Sequence, residues 1–290
     1  MSVFADTRCL ICQLERNVAS ARKLGTEEQA TAFAKDLMKL LADAPEGVSA
    51  PFFTPGVARL FQKHYGLDAD RYKQEKQDSN AFVLARMEQI REKVVSAPDP
   101  VKAGLQFAIL GNYIDFAGLR GEVSFEKLDQ MLLDALNMEL DEDNFRDLCA
   151  ELETGRKLLY LTDNAGEIGF DRIFAEVIHR KYPHLQITFC VRGGPAANDA
   201  TPEDAKEVGI PFPVIDNGNT IPGTQLDQLS EEAKRAVEDA DVILSKGQGN
   251  AETLLGCGYN IYYAFLVKCQ LFMERFGKPK LTPMLVKERK

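Results

Sequence analysis

In the stretch LLYLTDNAGEIGFDRIF, residues 158–174, an apolar run meets an acid and an amide, Asp163 and Asn164, and turns at once toward an amphipathic helix. Other apolar runs end in comparable polar tips. LQITFCV runs into RGGPAANDAT, with Arg192, Asn198 and Asp199; DVIL runs into SKGQGNAET, with Lys246, Gly247, Gln248, Gly249 and Asn250; and NIYYAFLV runs into Lys268. If these runs are parallel strands, their carboxyl ends share one edge, and groups about a hundred residues apart meet in one crevice. Two acids with an amide can hold a hard divalent cation through oxygen. Two lysines, an arginine and a glycine-flanked turn with free N–H groups can hold a phosphate. No glycine-rich phosphate fingerprint follows the first run, so side chains take over from a backbone cradle.

Each residue also has a plainer role open to it. Asn164 can cap the following helix, with Glu167 three residues on completing a capping-box exchange. Thr201 before Pro202 reads as a helix cap with proline at the first helical position. Asp216 in VIDNGN precedes the turn dipeptide Asn217-Gly218 and reads as structural. Lys246 and Lys268 can be solvated strand-end charges. Against these stands the coincidence: a sheet edge without a function has no need of opposite charges at four tips.

The elements that must position these groups fall into two textures. Up to about residue 150, segments such as 27–44, 55–66, 80–97, 99–116, 124–136 and 142–155 repeat apolar residues at three- and four-residue spacing and predict helices. From Lys157 onward, five short β-rich runs alternate with helical ones. The expected fold is α/β, a Rossmann-like, mostly parallel sheet with flanking helices, preceded by an all-helical N-terminal portion packed against it. The expected division is a helical portion over 1–155 and an α/β catalytic portion over 156–290, without a Pro- or Ser-rich linker near Gly155.

With 290 residues and 45% hydrophobic content, the chain can bury a large core without disulfide staples. A net charge of −9 without a basic tract argues against a nucleic-acid backbone surface. No run reaches membrane-spanning length, and the opening MSVFADTRCLICQLERN is charged by its sixth residue, so a cytoplasmic location is expected. The six cysteines are too scattered for a disulfide framework. Cys9 and Cys12 form a C-x-x-C pair with three readings: core-facing thiols on one helix turn, a redox pair, or half of a metal site.

Taken together and in order, DNAGEIGFDRIF, VRGGPAANDAT and SKGQGNAETL resemble the signature of the damage-control metabolite phosphatases, a metal-dependent family formerly known as a domain of unknown function. The N-terminal C-x-x-C, the segment GNYIDF (111–116), expected as helical, and the final LVKC (266–269) resemble its prokaryotic-type branch. The resemblance covers nearly the whole chain. It implies a metal site on Asp163, Asn164 and Asp199, with Mn2+, Co2+, Ni2+ or Mg2+ as the divalent metal. It also implies a phosphate-binding turn from Lys246 to Asn250 and a late lysine at Lys268. Asn112 and Asp115 either reach the pocket from the helical part, or Asn112 orients a neighbouring loop. A methyltransferase-associated branch carries Arg-Thr-x-Lys near that lysine, whereas FLVK (265–268) keeps only the lysine.

The implied activity is hydrolysis of phosphomonoesters of small, damaged or ordinary phosphometabolites such as sugar phosphates, by metal-assisted attack of water. A phosphoaspartate route through Asp163 ranks below direct hydrolysis, because Ala165 stands where the familiar motif has a second acid. The alternatives are a non-catalytic phosphometabolite-binding protein and a carboxyl methyltransferase.

Overall fold

Helix follows helix from Thr7 to Thr154, and most begin at residues able to satisfy orphan N–H groups. The computed structural model describes residues 3–68, 70–119 and 123–288. Helices α1 (Thr7–Leu24), α2 (Glu27–Ala42) and α3 (Thr54–Tyr65) come first; Asp6 caps α1, and Thr26 with Gln29 makes a capping box on α2. They share a small core around Phe33, Leu37 and Phe61. Next come α4 (Lys73–Leu84), α5 (Met87–Ser96), α6 (Pro100–Gly111), α7 (Phe125–Leu133) and α8 (Glu142–Thr154).

Two helical expectations are corrected. The single helix expected over 80–97 is broken between α4 and α5, where the Arg86 N–H bonds three residues back to Val83. The Arg86 guanidinium also stacks 3.6 Å over Phe82 and pairs with Asp129. GNYIDF is not helical: α6 stops at Gly111, and the N–H groups of Tyr113 and Ile114 bond three residues back, tightening the last turn before the chain leaves.

The sheet contains β1 (Lys157–Leu161), β2 (Gln186–Val191), β3 (Val214–Asp216), β4 (Val242–Lys246), β5 (Ile261–Leu266) and β6 (Pro283–Lys287), in the order β3-β2-β1-β4-β5-β6. The first five are mutually parallel, and β6 runs antiparallel on the edge of β5. The mostly parallel α/β fold stands as expected. The sixth strand was not anticipated: PMLVK opens with proline and runs into the charges of KER, a pattern that only an edge strand tolerates.

Helices α9 (Glu167–Lys181) and α10 (Pro202–Val208) join α4–α8 on one face of the sheet, while α11 (Glu231–Asp239), α12 (Gly247–Leu254) and α13 (Gln270–Phe276) cover the other. The strands alternate between these two cores: Leu158, Tyr160 and Leu244 face the α9 side, and Leu159, Leu161 and Ile243 the α12 side. Helix α6 is buried nearly all round, wedged against α9 where Gly104 meets Phe174. Burying a side chain such as Phe170 or Phe174 stabilises the fold by roughly 1.5–3 kcal/mol. The strand order reverses direction between β1 and β4, so their carboxyl ends splay apart into a crevice.

Candidate active site

A cavity of about 780 Å3 opens at that crevice, between the sheet edge and the helices α1 and α3. Asp163, Asn164, Asp199, Gln248, Gly249 and Lys268 line it, together with Asp115 from the loop after α6. Two segments far apart in sequence are stitched together here. Asn164 forms a short bridge with Asp199, and the Ala200 N–H donates to the Asp163 carbonyl at 2.7 Å.

Asp163 accepts two amide bonds on Oδ2, from Asn112 Nδ2 at 2.9 Å and Asn164 Nδ2 at 2.8 Å. Asp199 accepts Arg192 Nε on Oδ2 at 2.7 Å. Among the described residues, Oδ1 of each acid has no hydrogen-bond donor, so each keeps one oxygen for a ligand. Burial raises both carboxyls, Asp163 further through Asp199 and Glu167, and Asp199 to about 6 despite the neighbouring Arg192.

Charge balance points the same way. The bonded network around the crevice holds five acids, Asp115, Asp163, Glu167, Asp171 and Asp199, against three cations, Arg192, Lys246 and Lys268. With all groups ionised this network would carry two negative charges in excess, and a divalent cation bound there would offset them and favour the charged form of the raised carboxyls. Among the described residues no three His, Cys, Asp or Glu side chains are arranged to hold a metal. A hard cation here would therefore take the Asn164 amide oxygen beside Asp163 and Asp199, a donor set that fits Mg2+ or Mn2+.

The remaining expected residues divide sharply. Lys268 reaches the cavity and donates to Asp115 Oδ2 at 2.7 Å. Gln248 and Gly249 line the cavity at the start of α12, where unsatisfied N–H groups carry partial positive charge. Lys246 does not reach it. Its ammonium is fully buried and donates all three N–H groups inward, to Glu167 Oε1 and Asp171 Oδ1 at 2.7 Å and to the Ala108 carbonyl at 2.8 Å. The expectation that Lys246 contacts phosphate is corrected on that ground.

Arg192 and Asn250 lie beneath the cavity floor. Arg192 Nη2 donates to the Thr162 carbonyl and to Asn250 Oδ1, and Asn250 Nδ2 ties the Thr162 and Lys246 carbonyls together. Asn198 bridges outward, donating to Asn164 Oδ1 at 2.8 Å and accepting from the Ala117 N–H at 3.2 Å.

Asn164 does not cap α9; Gly166 does, at φ +77°, while Glu167 Oε2 accepts both Asn164 Nδ2 and its backbone N–H. Thr201 with Asp204 does cap α10, and Asp216 accepts the Gly218 N–H in its turn. Asn112 orients rather than lines, bonding Asp163, Glu167 and the Leu266 N–H. The sequence reading missed Asp171 altogether. Its signal was available: Glu167 and Asp171 are two acids one helical turn apart on the apolar face of α9, which only a buried cation explains.

Cys9 and Cys12 are half-buried in α1 and line the cavity rather than face the core. Burial and the nearby Glu252 push the Cys9 thiol up to about 11, so it is protonated at neutral pH and a poor nucleophile.

Gly247 makes the closest approach. It sits at φ +80°, and a Cβ there would lie 1.9 Å from Asp163 Oδ2. Gly247→Ala combines backbone strain of about 1–3 kcal/mol with displacement of that carboxylate. It is expected to lower both thermal stability and phosphate release; a variant with wild-type melting and turnover would show that the turn has slack.

The sequence pattern of the damage-control phosphatase ARMT1-like domain matches residues 5–282. The chain belongs to that family. A damage-control phosphatase of Archaeoglobus fulgidus is 31% identical over 280 residues, 93% of this chain and 94% of that protein. An uncharacterized protein of Methanocaldococcus jannaschii is 34% identical over 289 residues, 95% and 93% of the two chains. The crystal structure of a DUF89 family protein from Pyrococcus horikoshii superposes with a TM-score of 0.84 at 27% identity, covering 99% of each chain. Membership of the damage-control phosphatase family supports a phosphatase role for the chain. No helix among the described residues is long and apolar enough to cross a membrane.

Proposed function

We propose that the protein is a metal-dependent phosphomonoesterase acting on small phosphometabolites, sugar phosphates among them. The observation that carries this reading is the pair of buried acids, Asp163 and Asp199, each with one oxygen at the crevice that has no hydrogen-bond donor among the described residues. Asp163, Asn164 and Asp199 would hold the cation, which when bound supplies an acidified water and offsets charge on the phosphate oxygens. Lys268 matches one phosphate oxygen as a point charge, held in place by Asp115. The first amides of α12 offer N–H donors to the others. Asn112 and Glu167 hold Asp163 and Asn164 in position, and Arg192 does the same for Asp199. A mere phosphate binder has no use for two raised acids at the mouth of an anion site, and β1 runs into DNAGE rather than the glycine-rich turn that favours a methyl donor.

The test is phosphate release from a panel of phosphometabolites with Mg2+, Mn2+, Co2+ or Ni2+, beside a chelator. Release with at least one metal, lost in chelator and restored on metal addition, is expected. Release that persists in chelator removes the metal from the reaction, and saturable phosphate binding without release leaves a binding protein. Lys268→Ala is expected to weaken inhibition by inorganic phosphate about tenfold or more, since a charged hydrogen bond contributes about 1.5–3 kcal/mol. Metal affinity, read by calorimetry, should stay near wild type; phosphate inhibition that does not change would take Lys268 out of the site.

A further inference from the structure

The cavity extends well past the acids, and its far wall carries cations of its own. Arg16, on α1, donates from Nη2 to Gln13 Oε1 at 2.9 Å and from Nη1 to the Ala117 carbonyl at 3.3 Å. Gln13 is itself buried and fixed, accepting from Asn17 Nδ2 at 3.0 Å and donating to the Ala50 carbonyl at 3.4 Å. The guanidinium is thus aimed by neutral acceptors, which leave most of its five N–H donors unbonded. Arg71 also lines this cavity. It stacks 4.2 Å over Phe61 and 4.9 Å over Tyr72, and donates to the Tyr72 hydroxyl at 3.2 Å.

Neither arginine has a carboxylate within ion-pair distance among the described residues. Arg8 and Lys268 do: Arg8 is tied to Asp6 and Glu274, and Lys268 to Asp115, while the exposed Arg59, also without an acid, is not fixed by any such neighbours. Glu252, the acid that feels Arg16, is pushed up to about 7 by burial and so is not a full counter-ion. Half-buried guanidinium forks held by neutral partners are suited to an incoming carboxylate or phosphate, which they can grip with two parallel bonds. The chain is acidic overall, with 44 Asp and Glu against 35 Lys and Arg, so the absence of an acid at both arginines is not a shortage of supply.

We propose that Arg16 and Arg71 receive a second anionic group of the substrate, so that the preferred esters carry a phosphate or carboxylate at the end remote from the scissile phosphate. This deepens, and rests on, the phosphatase reading of the same cavity. Arg16 also borders the loop that carries Asp115, so occupancy of the far wall bears on the positioning of Lys268.

The experiment compares kcat/KM for a hexose monophosphate, a hexose bisphosphate and a phosphorylated hexonic acid on the metal-loaded full chain. Wild type is expected to favour at least one of the two doubly anionic esters tenfold or more. Arg16→Gln and Arg71→Gln should each reduce that ratio at least fivefold, and Arg16→Lys, which keeps charge but loses the fork, should fall between. A wild-type ratio near one overturns the proposal. So does an Arg16→Gln variant that slows all three substrates equally, because that is loosening of the loop and not loss of a contact. Calorimetric binding of the same esters in the Asp163→Asn background separates the two readings. Preference for the second anion without turnover in the wild type would sink the phosphatase and leave the anion site; turnover without preference would do the reverse.

Discussion

Alanine at Asp163 or at Asp199 is expected to lower metal-dependent phosphate release by about three orders of magnitude, roughly 4 kcal/mol of transition-state stabilisation. Among the described residues each acid keeps Oδ1 without a hydrogen-bond donor at the cavity, so either substitution empties a ligand position. The same two acids also give stability a pH dependence. Both carboxyls are raised in the fold, chiefly by burial, so from about pH 4 to 6 the folded chain binds more protons than the unfolded one. Their contribution to stability therefore falls as pH rises through that window. In chelator, Asp199→Asn should flatten the decline between pH 5 and 7.5, while the loss of the charge facing the buried Arg192 lowers its melting point at pH 7.5; added metal should stabilise the wild type more than the variant. The measurements are phosphate release with and without metal and melting temperatures at the two pH values. Near-wild-type turnover in either alanine variant would move the site elsewhere.

Lys246→Met should have its main effect on folding. The side chain replaces a fully buried ammonium, leaving Glu167 and Asp171 buried together without their cation. Removing one member of such a buried set costs about 3–5 kcal/mol, because the stranded charges must be protonated or stay unpaired. Asp171 holds Tyr160, and Glu167 holds Asn112 and Asn164, so activity falls with the scaffold. Lys268→Met should cost less, since its partner Asp115 keeps contact with solvent and also accepts the Gly118 N–H. Urea denaturation of both variants beside wild type gives the comparison. Combining Lys246→Met with Glu167→Gln and Asp171→Asn should recover part of the loss. A Lys246→Met chain within about 1 kcal/mol of wild type would mean the triad is not what holds α6 and α9 to the sheet.

The contrast between these two lysines separates what was legible in the sequence from what was not. Both end an apolar run, and composition gives no way to tell them apart. Strand parity does: Leu244 and Lys246 lie on the same face of β4, and that face meets α6 and α9, where Glu167 and Asp171 wait. Lys268 comes after β5 has ended and escapes the sheet. The sequence by itself determined the helical first half, the five parallel strands and the gathering of polar tips on one edge, because periodicity is local and parallel strands must present their carboxyl ends together. It also held Asp163, Asn164 and Asp199 as the acid-rich centre. Only the tertiary structure decided which helix covers which face, and hence that Lys246 is buried while Lys268 lines the cavity. It also decided that Arg16, Cys9 and Cys12 from the first helix form the far wall, and that Asn112 leaves its helix to hold Asp163. Those outcomes depend on contacts between segments some 50–250 residues apart. A one-dimensional pattern shows that a buried charge needs a partner, but the partner is chosen by the packing of whole elements.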